Sequence, residues 1–330
     1  MIYMIIMGIE SSAHTIGVGV VEDRKILSNK RKMYPISNKG IIPSKVAEFH
    51  SKHIPSLIRD ALAESKINIE DIDAVAYTKG PGIGACLRIG QIAAKTISRQ
   101  FDKPIFPVNH SVAHIEIARV MFNMHDPLVL YVSGGNSQIL GIINKPFRHY
   151  HVYGETLDIG IGNALDNFAR SANLLPAWGS SVAKVAEGGK YIAMPYNVKG
   201  MDFTFTGLLK YATDLLAKEK LPDIAYSFQE TMFSMLCEAT ERALFLLGKK
   251  ELILCGGVAQ NKRLNEMLQS IADSHGVKFG VAPDQFNADN GAMIAVVGLE
   301  MLENKDHYTL SEATIDQKFR ADKFEIKWQL

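Results

Sequence analysis

Cysteine is scarce. The 330 residues contain three, Cys86, Cys237 and Cys255, and none stands in CxxC spacing. That excludes a disulfide framework and a cysteine-rich zinc site, and it fits a reducing compartment. Long apolar runs are missing too. The N-terminal stretch Ile2 to Met7 is too short to span a bilayer, lacks a basic leader and a small-residue cleavage site, and continues directly into Gly8-Ile9-Glu10. It reads as a buried first strand, and the protein as cytoplasmic with no membrane partner. Charge of one sign is absent as well: 36 Lys and Arg face 35 Asp and Glu, a formal net charge of +1. So balanced a chain does not grip nucleic acid by bulk charge, although a local basic patch stays open. No P-loop (GxxxxGK[ST]) and no low-complexity linker occurs. What is present, 47% apolar and 22% charged residues, is ordinary for a folded chain, and the length suggests about two domains.

The order of parts repeats. Ile5-Ile6-Met7-Gly8-Ile9-Glu10, a Ser11-Ser12 turn and Ile16-Gly17-Val18-Gly19-Val20 read as strand, turn, strand; Leu128-Val129-Leu130-Tyr131-Val132, Ser133-Gly134-Gly135-Asn136 and Ile139-Leu140-Gly141 repeat that plan. Each is followed later by a strand, a glycine turn and a helix: Ala74 to Tyr77, Lys79-Gly80-Pro81-Gly82-Ile83-Gly84 and a helix from about Leu87 to Arg99, then Leu252 to Cys255, Gly256-Gly257 and a helix through Leu264 and Leu268. This predicts an α/β fold of two related lobes with a cleft between them. The expected boundaries are 1–127 for the first lobe and 128–292 for the second, with 293–330 packing back on the first. Apolar periodicity predicts further helices over Lys45 to Glu64, with Pro55 expected to kink or break it, Asn163 to Ala172, Ile224 to Leu247 and Ala292 to Leu302.

Three groups of residues could carry chemistry. The turn Ser133-Gly134-Gly135, after a strand, could cup a phosphate with backbone N–H groups, and Glu10-Ser11-Ser12 is a second candidate turn; a plain tight turn is the alternative for each. His110 and His114 stand four apart, so on a helix both imidazoles share one face and can chelate one ion. The zinc-protease version needs Glu directly after the first His; Ser111 stands there, which argues against proteolysis. Asp289, at the turn before the final helix, is the best third ligand, and Tyr131 a fourth; such an N/O set suits Fe or Zn. A pair of ordinary helix histidines is the competing reading, and His125, His149 and His275 read as spectators in polar loops. Last, Asp158, Asn163, Asp166, Gly179, Gln260 and Asn261 are polar or small positions in apolar context. Asp166 could accept from ribose hydroxyls, and Asn261 could cap a helix.

With these motifs in order, the chain resembles the universal Kae/TsaD family, tRNA threonylcarbamoyladenosine transferases of the actin–Hsp70–hexokinase ATPase superfold, and most of all its archaeal branch. The resemblance rests on Gly8 to Thr15, Lys79 to Gly82 with Leu87 to Gly90, Asn109 to His114, Tyr131 to Asn136, Gly200 to Leu208, Gly256 to Asn261 and Asp289 to Met293. It implies that His110, His114, Tyr131 and Asp289 hold one Fe or Zn ion and that the first two and Asp289 are catalytic. It implies that Tyr131, Val132, Ser133, Gly134 and Gly135 wrap nucleotide phosphates while Asp166, Gly179 and Asn261 hold adenosine, with Mg as the nucleotide's companion ion. Two positions depart from the family's usual pattern: Ala183, where relatives carry an acidic residue, and Gln260.

The implied reaction moves a threonylcarbamoyl group from threonylcarbamoyl-AMP to N6 of the adenosine beside the anticodon in tRNAs reading codons that begin with A, releasing AMP. A mixed anhydride is the donor that a weakly nucleophilic exocyclic amine requires, and the acceptor base lies in a single-stranded loop from which it can be splayed. The near-zero charge then implies help with the RNA. The resemblance supplies candidates in the archaeal KEOPS complex: a small kinase/ATPase, a small dimerising subunit and a kinase-binding subunit. A nucleotide-binding scaffold or a small-molecule kinase of the same superfold is the alternative.

Overall fold

A computed structural model describes residues 3–35 and 42–328; Ile2, the start of the expected first strand, and the last two residues of the tail lie outside them. In chain order the elements are β1 (Ile5–Glu10), β2 (Thr15–Glu22), β3 (Lys25–Met33), α1 (Pro43–Ser65), β4 (Ala74–Gly80), α2 (Gly84–Phe101), β5 (Ile105–Asn109) and α3 (His110–Phe122). Then come β6 (Leu128–Val132), β7 (Ser137–Ile143), β8 (His149–Glu155), α4 (Ile161–Ser171), α5 (Gly179–Ala186), the two-residue strands β9 (Val198–Lys199) and β10 (Asp202–Phe203), and α6 (Thr206–Leu215). α7 (Leu221–Leu247), β11 (Glu251–Cys255), α8 (Lys262–His275), β12 (Lys278–Val281), α9 (Asp284–Asn287) and α10 (Gly291–Glu303) complete the chain. Among the described residues no helix is long and apolar enough to cross a membrane.

The chain divides into two compact units. One comprises the described residues of Met1–Asn123, Ile143–Tyr150 and Ala288–Leu330, the other Met124–Ile142 and His151–Asn287. The first unit's sheet has the order β3-β2-β1-β4-β5, with β1 antiparallel to β2 and parallel to β4. The second sheet has the order β12-β11-β6-β7-β8, with β6 antiparallel to β7 and parallel to β11. The plan repeats: an antiparallel hairpin whose first strand pairs in parallel with a strand far along the sequence. This is the duplicated α/β fold expected from the order of parts. Met7, Ile9, Val18, Ile54, Leu57, Val75 and Tyr77 build the first core. Leu128, Leu130, Phe168, Phe228, Leu254 and Leu264 build the second. The three cysteines are buried free thiols.

Two expectations are corrected. Pro55 neither breaks nor divides α1, which runs unbroken from Pro43 to Ser65. Ser51, whose carbonyl loses its i+4 partner to the proline, is exposed, as is Pro55 itself, so the lost bond falls on the solvent side while Val46, Ile54, Leu57 and Ala61 bury the opposite face. His149 and His275 are not in loops: the first is buried in β8 and the second ends α8, where it pairs with Glu241 at 2.6 Å.

Within the first unit α10 lies directly on β1 and β2. A Cβ on Gly8 would stand 2.3 Å from the Ala295 nitrogen, one on Gly19 2.3 Å from the Ala292 nitrogen, and one on Gly291 2.2 Å from the Gly19 nitrogen. The three glycines thus bring helix and hairpin backbone to backbone, which sets where α10 begins and so where Asp289 sits.

Candidate functional site

The apolar strand β5 ends in Asn109, whose side-chain oxygen accepts from the Val112 amide at 3.1 Å and caps α3. The helix therefore starts on His110, and both His110 and His114 are buried. At the other helix Asn290 caps α10 by accepting from the Met293 amide at 3.0 Å, leaving Asp289 one residue before the cap. The result is a convergent group: the Nε2 atoms of His110 and His114 lie 3.5 and 3.3 Å from the same Asp289 oxygen, and the three potential ligand atoms fall within 4.8 Å of one another. The i, i+4 spacing put the two histidines on one face, and Asp289, expected beside them from its turn before the last helix, lies against both.

Glu10 is the residue whose place the sequence did not foretell. Fully buried at the end of β1, it accepts from the Ser12 amide at 2.6 Å, the Thr78 hydroxyl at 2.7 Å and His110 Nδ1 at 3.0 Å. Burial alone would raise its carboxyl, yet the charge and hydrogen bond of His110 hold it below the ordinary value. Burial opposes a charged His110 too, but Glu10 and then Asp289 push it up to about 9. His114 goes the other way, lowered chiefly by burial. Burial would raise Asp289, and the two histidines keep it well below the usual carboxylate range. A carboxylate can only accept, so Nδ1 of His110 donates to Glu10 and Nε2 is turned toward Asp289. That is the carboxylate–histidine arrangement that orients an imidazole for a metal ion, whose binding would displace the Nε2 proton. Two imidazole nitrogens and one carboxylate oxygen, converging and nearly dry, fit a divalent Fe or Zn ion. The Ser12 amide, for its part, is already taken by Glu10.

In the second unit β6 delivers the buried Tyr131 and Val132 to the turn Ser133-Gly134-Gly135-Asn136. The Ser133 amide donates to the Asn136 carbonyl at 2.7 Å and the Asn136 amide to Ser133 Oγ at 3.0 Å, which closes the turn. The start of α4 lies against it: Gly162 and Asn163 amides donate to the Ser133 and Gly134 carbonyls at 3.2 and 3.0 Å. No other residue fits there, since a Cβ on Gly160 would meet the Gly134 carbonyl oxygen at 2.4 Å. Around the exposed Gly135 there is open space, with nothing within 4 Å of its Cβ position. Tyr131 pairs in register with Cys255, and its ring lies 3.1 Å from the Cβ position of Gly256, whose φ of +95° only glycine adopts readily.

The remaining polar residues fall into local groups of the second unit. Asp166 on α4 accepts from the Gly179 amide, the first of α5, at 2.8 Å, so those two candidates are brought together. Asn261 caps α8, accepting from Arg263 and Leu264 amides, and donates to Gln229 of α7 at 3.0 Å. Beside it Arg263 grips Glu230 through two bonds of 2.7 and 2.8 Å, a pair that nothing in the sequence spacing announced. Asp158 is structural: it accepts from the amides of Ile159, Phe205 and Thr206.

Comparison with known proteins gives the family. The family model described as TsaD, tRNA N6-adenosine threonylcarbamoyltransferase, matches residues 24–296. The tRNA N6-adenosine threonylcarbamoyltransferase of Thermococcus sibiricus is 47% identical over 331 residues, covering 98% of this chain and 100% of that protein. A probable bifunctional tRNA threonylcarbamoyladenosine biosynthesis protein of Methanocaldococcus jannaschii is 45% identical; the match spans 98% of this chain and 60% of that longer one. Among solved structures, full-length HypF in a phosphate- and nucleotide-bound form superposes with a TM-score of 0.62 at 13% identity over 91% of this chain and 47% of that one, a likeness of fold alone. The fold is therefore of the actin–Hsp70–hexokinase type, and the chain belongs to the tRNA N6-adenosine threonylcarbamoyltransferase family.

Proposed function

We propose that this chain transfers the threonylcarbamoyl group of threonylcarbamoyl-AMP to N6 of the adenosine beside the anticodon of tRNA, releasing AMP. The observation that carries the reading is the approach of two imidazole Nε2 atoms to one Asp289 oxygen at 3.5 and 3.3 Å. His110, His114 and Asp289 hold an Fe or Zn ion, and the family resemblance adds Tyr131 to the donor set. When bound, such an ion supplies Lewis acidity toward donor oxygens. The protein's part is orientation. Glu10 fixes the His110 ring through Nδ1, and the caps Asn109 and Asn290 fix the helices that bear the ligands. The Ser133–Gly135 turn is the phosphate cradle, with Asp166, Gly179 and Asn261 on the adenosine side; a nucleotide in the related HypF fold and the open space at Gly135 support this.

The acceptor tRNA needs more positive surface than a net +1 supplies, so partner subunits of the KEOPS type hold it. The extra length of the bifunctional Methanocaldococcus relative favours a second activity working beside this one. Mass spectrometry of tRNA nucleosides tests the whole reading: the mixture contains threonine, bicarbonate, ATP, the adenylate-making enzyme and partner subunits. Omitting this chain should abolish the modified nucleoside. His110→Ala should lower its formation on the order of a hundredfold or more while leaving the fold intact. Full activity in that variant would remove the metal role.

A further inference from the structure

The tail after α10 runs across the first unit and is held at every few residues. Tyr77 Oη donates to the Thr314 carbonyl at 2.9 Å, the Asp316 amide to the Lys79 carbonyl at 2.8 Å, and the Gly82 amide to the Gln317 carbonyl at 3.2 Å. It then reaches α3. Asn109 Nδ2, from the residue that caps the helix, donates to the carbonyls of Phe319 and Arg320 at 2.8 and 3.2 Å. Further on, Trp328 is buried and its Nε1 donates to Glu116 Oε2 at 3.2 Å. The tail therefore touches α3 on either side of the two histidines, at its cap and at Glu116.

Glu116 is a hub. It is fully buried, and besides Trp328 it accepts from Tyr150 Oη at 2.5 Å and Arg119 Nε at 2.7 Å. Arg119 also reaches Glu300 of α10 at 3.5 Å, and Arg24, from the β2–β3 turn, meets the same Glu300 oxygen at 3.3 Å. One connected set of polar groups, buried except for the exposed Arg24, thus ties together the helix that carries His110 and His114, the helix that follows Asp289, and the tail. Such a set has no role in holding the core that an apolar cluster would not fill as well, and its members are expensive to bury singly. What it does supply is direction. Hydrogen bonds fix rotation and shift along an axis, which apolar packing leaves loose.

We propose that Glu116 and Trp328 are positioning residues for the His110–His114–Asp289 centre: the tail, seated on Glu116 and on the Asn109 cap, sets the axial position of α3 and with it the spacing of the three ligands. The inference rests on the reading of that triad as a metal centre. It concerns no bond made or broken, only the pre-organisation of ligands that an ion would otherwise have to draw together.

The test uses the full chain and Co²⁺ or Zn²⁺ alone. Trp328→Phe keeps an aromatic ring and removes the Nε1 donor; Glu116→Gln keeps size and removes the charge. Each should weaken Co²⁺ binding about tenfold, as loss of an outer partner of a metal ligand does. Each should also shift the visible absorption of the Co²⁺ complex, with far-ultraviolet circular dichroism unchanged. Ile54→Ala, in the same unit's core but on α1, provides the control: it should lower thermal stability by at least as much and leave Co²⁺ affinity and spectrum as they are. Unchanged affinity and spectrum in both Trp328→Phe and Glu116→Gln would overturn the proposal. So would an equal loss of affinity in Ile54→Ala, since that makes the effect one of general stability. Failure of the unaltered chain to bind either ion would overturn the metal reading itself, an outcome distinct from binding that is indifferent to Trp328.

Discussion

Lys79–Gly84, where β4 gives way to α2 in the first unit, and Ser133–Asn136, the turn after β6 in the second, are both glycine-rich, and they use their missing side chains in opposite ways. At Gly80 a Cβ would stand 1.7 Å from the Asp316 carbonyl oxygen, and at Gly84 2.6 Å from the Gln317 side chain; the space belongs to the chain's own tail. Lys79 Nζ even lies 4.8 Å from the centre of the Phe319 ring. At Gly135 nothing stands within 4 Å. One turn is a socket filled from within, the other an exposed rim. Glycine content alone does not identify a ligand site; what occupies the room each glycine leaves does.

The sharpest way to break this contrast is one methyl group at each turn. Gly80→Ala should cost about 3 kcal/mol or more by urea denaturation, because the clash is with backbone of a seated tail. Gly135→Ala should stay within about 0.5 kcal/mol of the parent in the same measurement. Its loss should be seen instead as roughly tenfold weaker binding of an adenine nucleotide by calorimetry, about 1.4 kcal/mol. If both variants lost stability equally, the distinction between socket and rim would fail.

The dryness of the first unit can be measured by pH. Burial pushes the imidazole of His50, on the inner face of α1, down from 6.5 to about 4, with Glu10 opposing. The unfolded chain takes up this proton near pH 6.5 and the folded one near 4. The stability from keeping it neutral is therefore complete above about pH 6.5 and is lost as pH falls toward 4, up to about 3 kcal/mol. His50→Gln should flatten that part of the stability–pH curve; an unchanged slope would put His50 in water. The smallest effect belongs to the second unit. Asn261→Ala removes the α8 cap and should cost about 1 kcal/mol, read as a modest drop in melting temperature, together with weaker nucleotide binding. A stability loss without any change in nucleotide affinity would make Asn261 a cap and nothing more.

Local rules carried the sequence reading a long way. Alternation of apolar residues and glycine turns gave both hairpins and the later strand–turn–helix units, and the i, i+4 spacing placed His110 and His114 on one face of α3. Polar capping residues at Asn109, Asn261 and Asn290 mark helix starts in the way their chemistry requires. Long-range pairing was what stayed hidden. Glu10 is 100 residues from His110, and Glu116 is 212 from Trp328, so no periodicity links them. A signal did exist for the second: Glu116 and Arg119 are the charged pair of a largely apolar helix, and a charge pair at i, i+3 on a buried helix must find partners elsewhere. Pro55 does not break α1, because the buried face of the helix, Val46, Ile54, Leu57 and Ala61, holds both halves in one element despite the lost hydrogen bond.

The glycine seam between α10 and the β1–β2 hairpin has a consequence for how the centre can change. Contacts made through side chains can be retuned by swapping one rotamer or one methylene for another. A seam of bare backbone has no such adjustable parts. Its spacing is fixed by covalent dimensions, so Asp289 is placed by something close to a gauge block. Substituents on Gly8, Gly19 or Gly291 would not relax locally but would lift the whole helix. Asp289 is thus the least negotiable member of the His110–His114–Asp289 group, and any change in the group's spacing has to come from the histidine side.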